Sequence, residues 1–185
     1  MITSLQNPQV RMVTQLNTKA KVRRKEGAFT AEGRKMFLEA PPEWIRKVYL
    51  TETLAADPEV SGRLMRERIS FETVTDPVFG KMTDTLTPQG ILTVLNAPSV
   101  TAEELIRRSM ASGPGTAESP APLFMVLENL QDPGNLGTIL RTGEGAGIAG
   151  VLLVGNCVDM LSPKTVRATM GSVYRIPFAE IPDIG

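Results

Sequence analysis

Residues 128–143 read Glu-Asn-Leu-Gln-Asp-Pro-Gly-Asn-Leu-Gly-Thr-Ile-Leu-Arg-Thr-Gly, which puts a turn, a helix start and a cation in one short stretch. Asp132-Pro133-Gly134 forms the turn, Asn135 follows as the expected helix cap, and Arg141 stands nearly two turns later. A helix start at this place suits an anion such as phosphate, because its first N–H groups point outward along the positive end of the dipole. A second group of cations lies far upstream: Lys19, Lys21, Arg23, Arg24 and Lys25, then Arg34 in the turn Glu32-Gly33-Arg34. The planar fork of an arginine fits phosphate and stacks on bases, which makes Arg34 a stronger candidate contact than any single lysine.

The overall charge is zero, yet it is unevenly distributed. Residues 1–47 carry ten Lys/Arg against four Asp/Glu, whereas residues 48–185 carry ten against sixteen. Positive charge gathered at one end favours a polyanionic partner, contacted through Arg23, Arg24, Lys25 and Arg34. Other chemistries are disfavoured. The chain has no histidine, which removes a His-based triad and the commonest metal ligand, so no metal is expected. The lone Cys157 has no partner for an internal disulfide and is read as a small residue near a strand end. An apolar share of 42% and a charged share of 22% fit a globular protein. No apolar run is long enough to span a bilayer and no secretion signal is evident, so a cytoplasmic location is expected.

The elements that must position these residues follow from periodicity and punctuation. Asn7-Pro8 reads as a cap with proline at the first helical position, followed by Val10, Val13 and Leu16 at helical spacing. Strands are expected at 28–31, 48–51, 71–74 and 91–95, with helical stretches between them, making a compact α/β domain over 1–97. Residues 98–122 are read as a linker holding one short helix, whose start Thr101-x-x-Glu104 fits a capping box. From 123 onward a buried strand at 123–127, a helix at 136–146, a strand at 151–154, a helix at 163–170 and a strand beginning at 176–178 form a βαβαβ series. That series implies a parallel sheet with right-handed crossovers, and ligands bind such sheets beyond the carboxyl ends of the strands.

The stretch 129–141, with Asn129, Asp132-Pro133, Asn135, Gly137 and Arg141 in order, resembles the first motif of the SpoU/TrmH branch of the SPOUT RNA methyltransferases. Residues 161–178, Leu-Ser-Pro-Lys-Thr-Val-Arg-Ala-Thr-Met-Gly-Ser-Val-Tyr-Arg-Ile-Pro-Phe, look like the second. The N-terminal pattern, with Phe29-Thr30-Ala31-Glu32-Gly33-Arg34 and a closing Gly90-Ile91-Leu92 strand, is similar to the ribosomal-protein-like substrate-binding domain of many members. The resemblance implies an S-adenosylmethionine-dependent ribose 2′-O-methyltransferase acting on structured ribosomal or transfer RNA, usually as a homodimer. Arg141 is implied to lie beside the target ribose, with Asn135 positioning loop or substrate. Because guanidinium stays protonated, stabilising the developing alkoxide suits Arg141 better than acting as a base.

The expected fold is therefore an N-terminal ribosomal-protein-like α/β substrate-binding domain, then the N-terminal part (123–185) of a SPOUT trefoil-knot domain built on a parallel sheet. The family's third motif, a Gly-Asn-Glu-Gly-like loop and a Ser-Leu-Asn-Val helix supplying most S-adenosylmethionine contacts, has no counterpart in the sequence. This leads us to expect an incomplete methyltransferase domain, weak cofactor binding and loose packing of 123–185. A catalytically silent RNA-binding protein and a truncated product are the alternative readings.

Overall fold

The computed structural model describes residues 1–111 and 121–182. Residues 112–120, in the polar part of the linker, and the last three residues lie outside them. The chain divides into two compact units, Met1–Ala97 with Leu161–Arg167, and Pro98–Met160 with Ala168–Gly185. No helix among the described residues is long and apolar enough to cross a membrane.

The first unit opens with α1 (Pro8–Thr18), which starts as the sequence requires: Asn7 Oδ1 accepts from Gln9 N at 2.8 Å, and Pro8 contributes no N–H to be satisfied. Next comes α2 (Ala20–Glu26), closed by Gly27 in the left-handed region at φ 54°. Then follow β1 (Ala28–Glu32), α3 (Arg34–Glu39), β2 (Ile45–Leu50), α4 (Glu52–Ala55), α5 (Pro58–Arg66), β3 (Phe71–Thr73), α6 (Asp76–Met82) and β4 (Ile91–Asn96). The sheet order is β1-β4-β2-β3, with β2 and β3 parallel and the other pairs antiparallel. Successive side chains on a strand point to opposite faces, so each strand feeds two cores. Tyr49, Leu92 and Val94 join Val10, Val13 and Leu16 of α1 and Val78, Phe79 and Met82 of α6. Val48, Leu50 and Ile91 join Phe37 of α3 and Val60 and Leu64 of α5. Helices cover both faces of a mixed sheet.

The second unit begins with α7 (Ala102–Ala111), read from the sequence as the short helix of a linker. Its start is capped as expected, Thr101 Oγ1 accepting from Glu104 N at 3.2 Å. It is no free linker element: Leu105 is buried and lies against Gly150, where a Cβ would come within 3.1 Å of it. The sheet follows, with β5 (Phe124–Glu128), β6 (Gly150–Val154) and β7 (Phe178–Ile181) parallel and in sequence order. Between the first two runs α8 (Pro133–Gly145); α9 (Pro163–Thr169), whose residues up to Arg167 are grouped with the first unit, precedes β7 in the chain. Leu136 and Leu140 of α8, Val151 and Leu153 of β6, Val173 and Ala179 are buried. The strand expected to be buried, β5, is instead partly exposed, with Val126 at 51%, and stands at the edge of the sheet order.

Candidate functional site

At the carboxyl end of the parallel strands the chain turns through residues whose types the geometry dictates. Asn129, directly after β5, has φ 51°, a left-handed conformation that asparagine tolerates better than most residues. Its N–H donates to Val154 O at 3.0 Å, and its Oδ1 accepts from Asn156 N at 2.9 Å. Gly155 (φ 66°) must be glycine twice over, since a Cβ there would stand 2.7 Å from Asn129 Oδ1. Gln131 Nε2 donates to Asn156 O, and Val158 N to Leu130 O at 2.7 Å. The loops after β5 and β6 are thereby tied together, and α8 is launched from a fixed frame.

The helix start corrects one expectation. Asp132, not Asn135, is the cap: its carboxylate accepts from Asn135 N at 2.6 Å, and Pro133 occupies the first helical position. The capping carboxylate already supplies the negative charge that the dipole favours, so the helix start is not an open phosphate site as the sequence suggested. Asn135 is released from capping, and its side chain makes no hydrogen bond among the described residues. Leu136, Gly137, Leu140 and Gly143 form the buried face of α8, while Asn135, Thr138, Arg141 and Thr142 are exposed. Gly137 allows close approach, because a Cβ on it would lie 2.6 Å from the carbonyl carbon of Ala168. Along the axis Asn135 and Arg141 are separated by about 9 Å, and the 3.6-residue turn sets them about 120° apart around it, on adjoining sides of the helix. Arg141 forms neither a hydrogen bond nor an ion pair among the described residues.

The other predicted cations divide sharply. Arg24 and Lys25 are exposed on α2, as are Lys19 and Lys21 beside them. Arg23 is not a surface cation. It is 6% exposed, and its guanidinium donates to Leu16 O at 2.5 Å and Asn17 O at 3.3 Å, bracing the end of α1. Its assignment as a phosphate contact is therefore corrected to packing. Arg34 is exposed at the start of α3 but faces acids, its Nε 3.2 Å from Asp57 and its Nη2 on Glu59. The two carboxylates raise the Arg34 pKa further, and Asp57 is held below the usual carboxylate range by the Val60 N–H and then by Arg34. A phosphate would have to compete with both acids for this fork. Arg46, missed in the sequence, donates to Glu26 O at 2.9 Å and Gly27 O at 2.8 Å and fastens the end of α2 to the sheet. Its partners lie some twenty residues away, and no local pattern announces them.

Residues 122–185 match the SpoU rRNA Methylase family, and residues 7–93 match the MRM3-like substrate binding domain. The chain is 34% identical over 182 residues to an uncharacterized tRNA/rRNA methyltransferase of Synechocystis, covering 95% of this chain and 60% of that protein. It is 29% identical to the 23S rRNA (guanosine(2553)-2′-O)-methyltransferase RlmP of Bacillus subtilis, over 95% of this chain and 63% of RlmP. Among solved structures, an AdoMet-bound rRNA methyltransferase from Sinorhizobium meliloti matches with a TM-score of 0.77 and 31% identity, over 97% of this chain and 63% of that one. The chain thus spans about three fifths of the length of these relatives.

Proposed function

This chain belongs to the SpoU/TrmH-type RNA methyltransferases, and from that premise we propose that it serves the transfer of a methyl group to a ribose 2′-hydroxyl of structured RNA. In this reading the first unit grips the RNA backbone and α8 faces the reacting ribose. The observation that carries it is Arg141, an exposed guanidinium with no ionic partner among the described residues, set within the family's motif on a helix rooted at the carboxyl end of a parallel sheet. As the 2′-oxygen attacks, negative charge gathers on it. A guanidinium brought close to it stabilises that charge. Asn135, released from capping by Asp132, supplies an amide that can orient the ribose or its phosphate.

S-adenosylmethionine, which the related rRNA methyltransferase from Sinorhizobium meliloti binds, is the proposed methyl donor. At the strand ends the polar groups of Asn129, Gln131 and Asn156 are bonded to one another. They brace the loops after β5 and β6 on one another. Ribosomal RNA is the favoured substrate class, in keeping with the relatives' names, and a homodimer is the proposed assembly. The reading is tested by methyl transfer to ribosomal RNA, measured on this sequence extended with the family's third motif. Arg141→Ala should reduce it by at least ~100-fold with the fold retained, the scale of losing one transition-state donor. Arg141→Lys should restore little, because a point charge does not reproduce the fork. Full activity in the alanine variant would overturn the assignment.

A further inference from the structure

One turn beyond Arg141 on α8 stands Glu144. Residues three apart on a helix are neighbours, so a carboxylate at this spacing is the natural ion-pair partner for the Arg141 guanidinium. The pair does not form. Glu144 is taken by a different segment: it accepts from Ser172 Oγ at 2.5 Å, from Arg175 Nε, and from Arg175 Nη2 at 3.2 Å. These donors sit at a turn whose backbone is unusual, since Met170 has φ 51° and Gly171 φ 102°. A non-glycine residue in the left-handed region is costly and persists where surrounding contacts over-determine it. Ser172 is buried, and the short helical turn Ser172–Tyr174 holds Val173 and Tyr174 buried as well, so the donors reach Glu144 from a fixed position.

We propose that Arg175 is a positioning residue that keeps Glu144 away from Arg141 and so leaves the Arg141 guanidinium open to an RNA phosphate or ribose oxygen. This deepens the reading of Arg141 as substrate-facing and rests on it. Arg175 acts in two ways. It occupies the carboxylate geometrically, through the fork and with the Ser172 hydroxyl, and it cancels a negative charge that would otherwise stand one helical turn from the place where a polyanion docks. Loss of Arg175 leaves the Glu144 charge uncancelled, to attract Arg141 or to repel the phosphate, and both weaken the same contact. Loss of the carboxylate as well removes the competitor and makes Arg175 unnecessary.

A suppressor follows that a purely structural ion pair would not give. Binding of the full chain to a folded ribosomal RNA transcript is measured for Arg175→Gln, Glu144→Gln, the double variant and Arg141→Ala, with thermal melting as a check on folding. Arg175→Gln should weaken binding by roughly 3- to 10-fold, the scale of one uncovered charge several ångströms from its target near a surface. The deficit should shrink as salt is raised. Glu144→Gln in the Arg175→Gln background should return affinity to near the starting value, and Arg175→Lys, which keeps the charge, should lose little. Should Arg175→Gln melt early, the Lys variant and Glu144→Gln alone still decide, since the second should bind RNA at least as well as the parent chain. A double variant as weak as Arg175→Gln, or a deficit insensitive to salt, overturns the inference while leaving Arg141 in place. Unchanged binding in Arg141→Ala overturns the substrate-facing reading itself, and this inference falls with it.

Discussion

Arg23 on α2 and Arg141 on α8 are both arginines on short helices in segments rich in functional signals, yet the structure gives them opposite fates. Arg23 is buried, with its guanidinium on the carbonyls of Leu16 and Asn17, whereas Arg141 is exposed with no bond among the described residues. The difference lies in what the chain brings to each side chain. The last turn of α1 ends beside α2 and presents carbonyls that lack helical partners, and a fork of N–H donors satisfies them. The acid one turn beyond Arg141, Glu144, is already engaged on Arg175. Availability of a cation is thus decided by its neighbours' commitments rather than by its own place in a charge run.

The largest effect expected from this contrast is on stability. Arg23→Ala removes charge-assisted bonds to buried carbonyls and leaves a void, which should cost about 2–4 kcal/mol of unfolding free energy. Arg141→Ala should leave stability within about 0.5 kcal/mol, as expected for an exposed residue without partners. Denaturant titration of the two variants checks the pair. Equal stabilities would remove the distinction between a packing cation and a working one.

Close behind comes Gly137→Ala on the buried face of α8. The added Cβ would stand 2.6 Å from the Ala168 carbonyl carbon, and backbone yields less readily than a side-chain tip. Overpacking of this kind costs about 1–3 kcal/mol, despite alanine's better helix propensity. Gly62 on α5, where an added Cβ would meet nothing within 4 Å, is the control: Gly62→Ala should be neutral or stabilising by about 0.5–1 kcal/mol. If Gly137→Ala is as benign as Gly62→Ala, the motif glycine serves something other than helix approach.

A smaller effect is expected on the surface of α2, where Arg24 and Lys25 are exposed. Replacing each by alanine should weaken RNA binding across sequences and lower the salt slope by about one for each phosphate left unneutralised. Arg23→Gln, tested under conditions where it stays folded, should not change the slope. A slope unchanged in the Arg24 and Lys25 variants would move the RNA grip away from α2.

Much of this arrangement was legible in the sequence wherever the cause is local. Asn7-Pro8 announced α1, Thr101 announced α7, and the strand–helix alternation after residue 123 announced a parallel sheet. Asp132 was legible too, because a proline at the first helical position assigns the cap to the residue before it, and the competing Asn135 hid that signal. The rest depends on partners distant in sequence. The closure of α2 depends on Arg46, some twenty residues away, the two acids that hold Arg34 are 23 and 25 residues away, and the group that occupies Glu144 is 31 residues away. A charge run such as 19–25 shows composition but not which member turns inward, since burial of Arg23 is set by the carbonyls at the end of α1.

The smallest effect concerns a polar group with the opposite problem, a donor whose partner is absent. Thr93, in the middle of β4 between β1 and β2, is fully buried, and its Oγ1 has no hydrogen-bond partner among the described residues. Arg23 is a buried polar side chain with acceptors in reach, so burial is compatible with stability there, but a lone buried hydroxyl forfeits its hydration without return. Thr93→Val keeps the branched shape that suits a strand and replaces the hydroxyl by a methyl, so the packing volume is nearly unchanged while the desolvation cost disappears. The variant should gain about 1 kcal/mol, read as a higher denaturant midpoint at an unchanged slope, with RNA binding unaltered. A loss of stability instead would mean that the hydroxyl is bridged by an ordered water in solution, and high-resolution diffraction at Thr93 would then find that water between β4 and its neighbours.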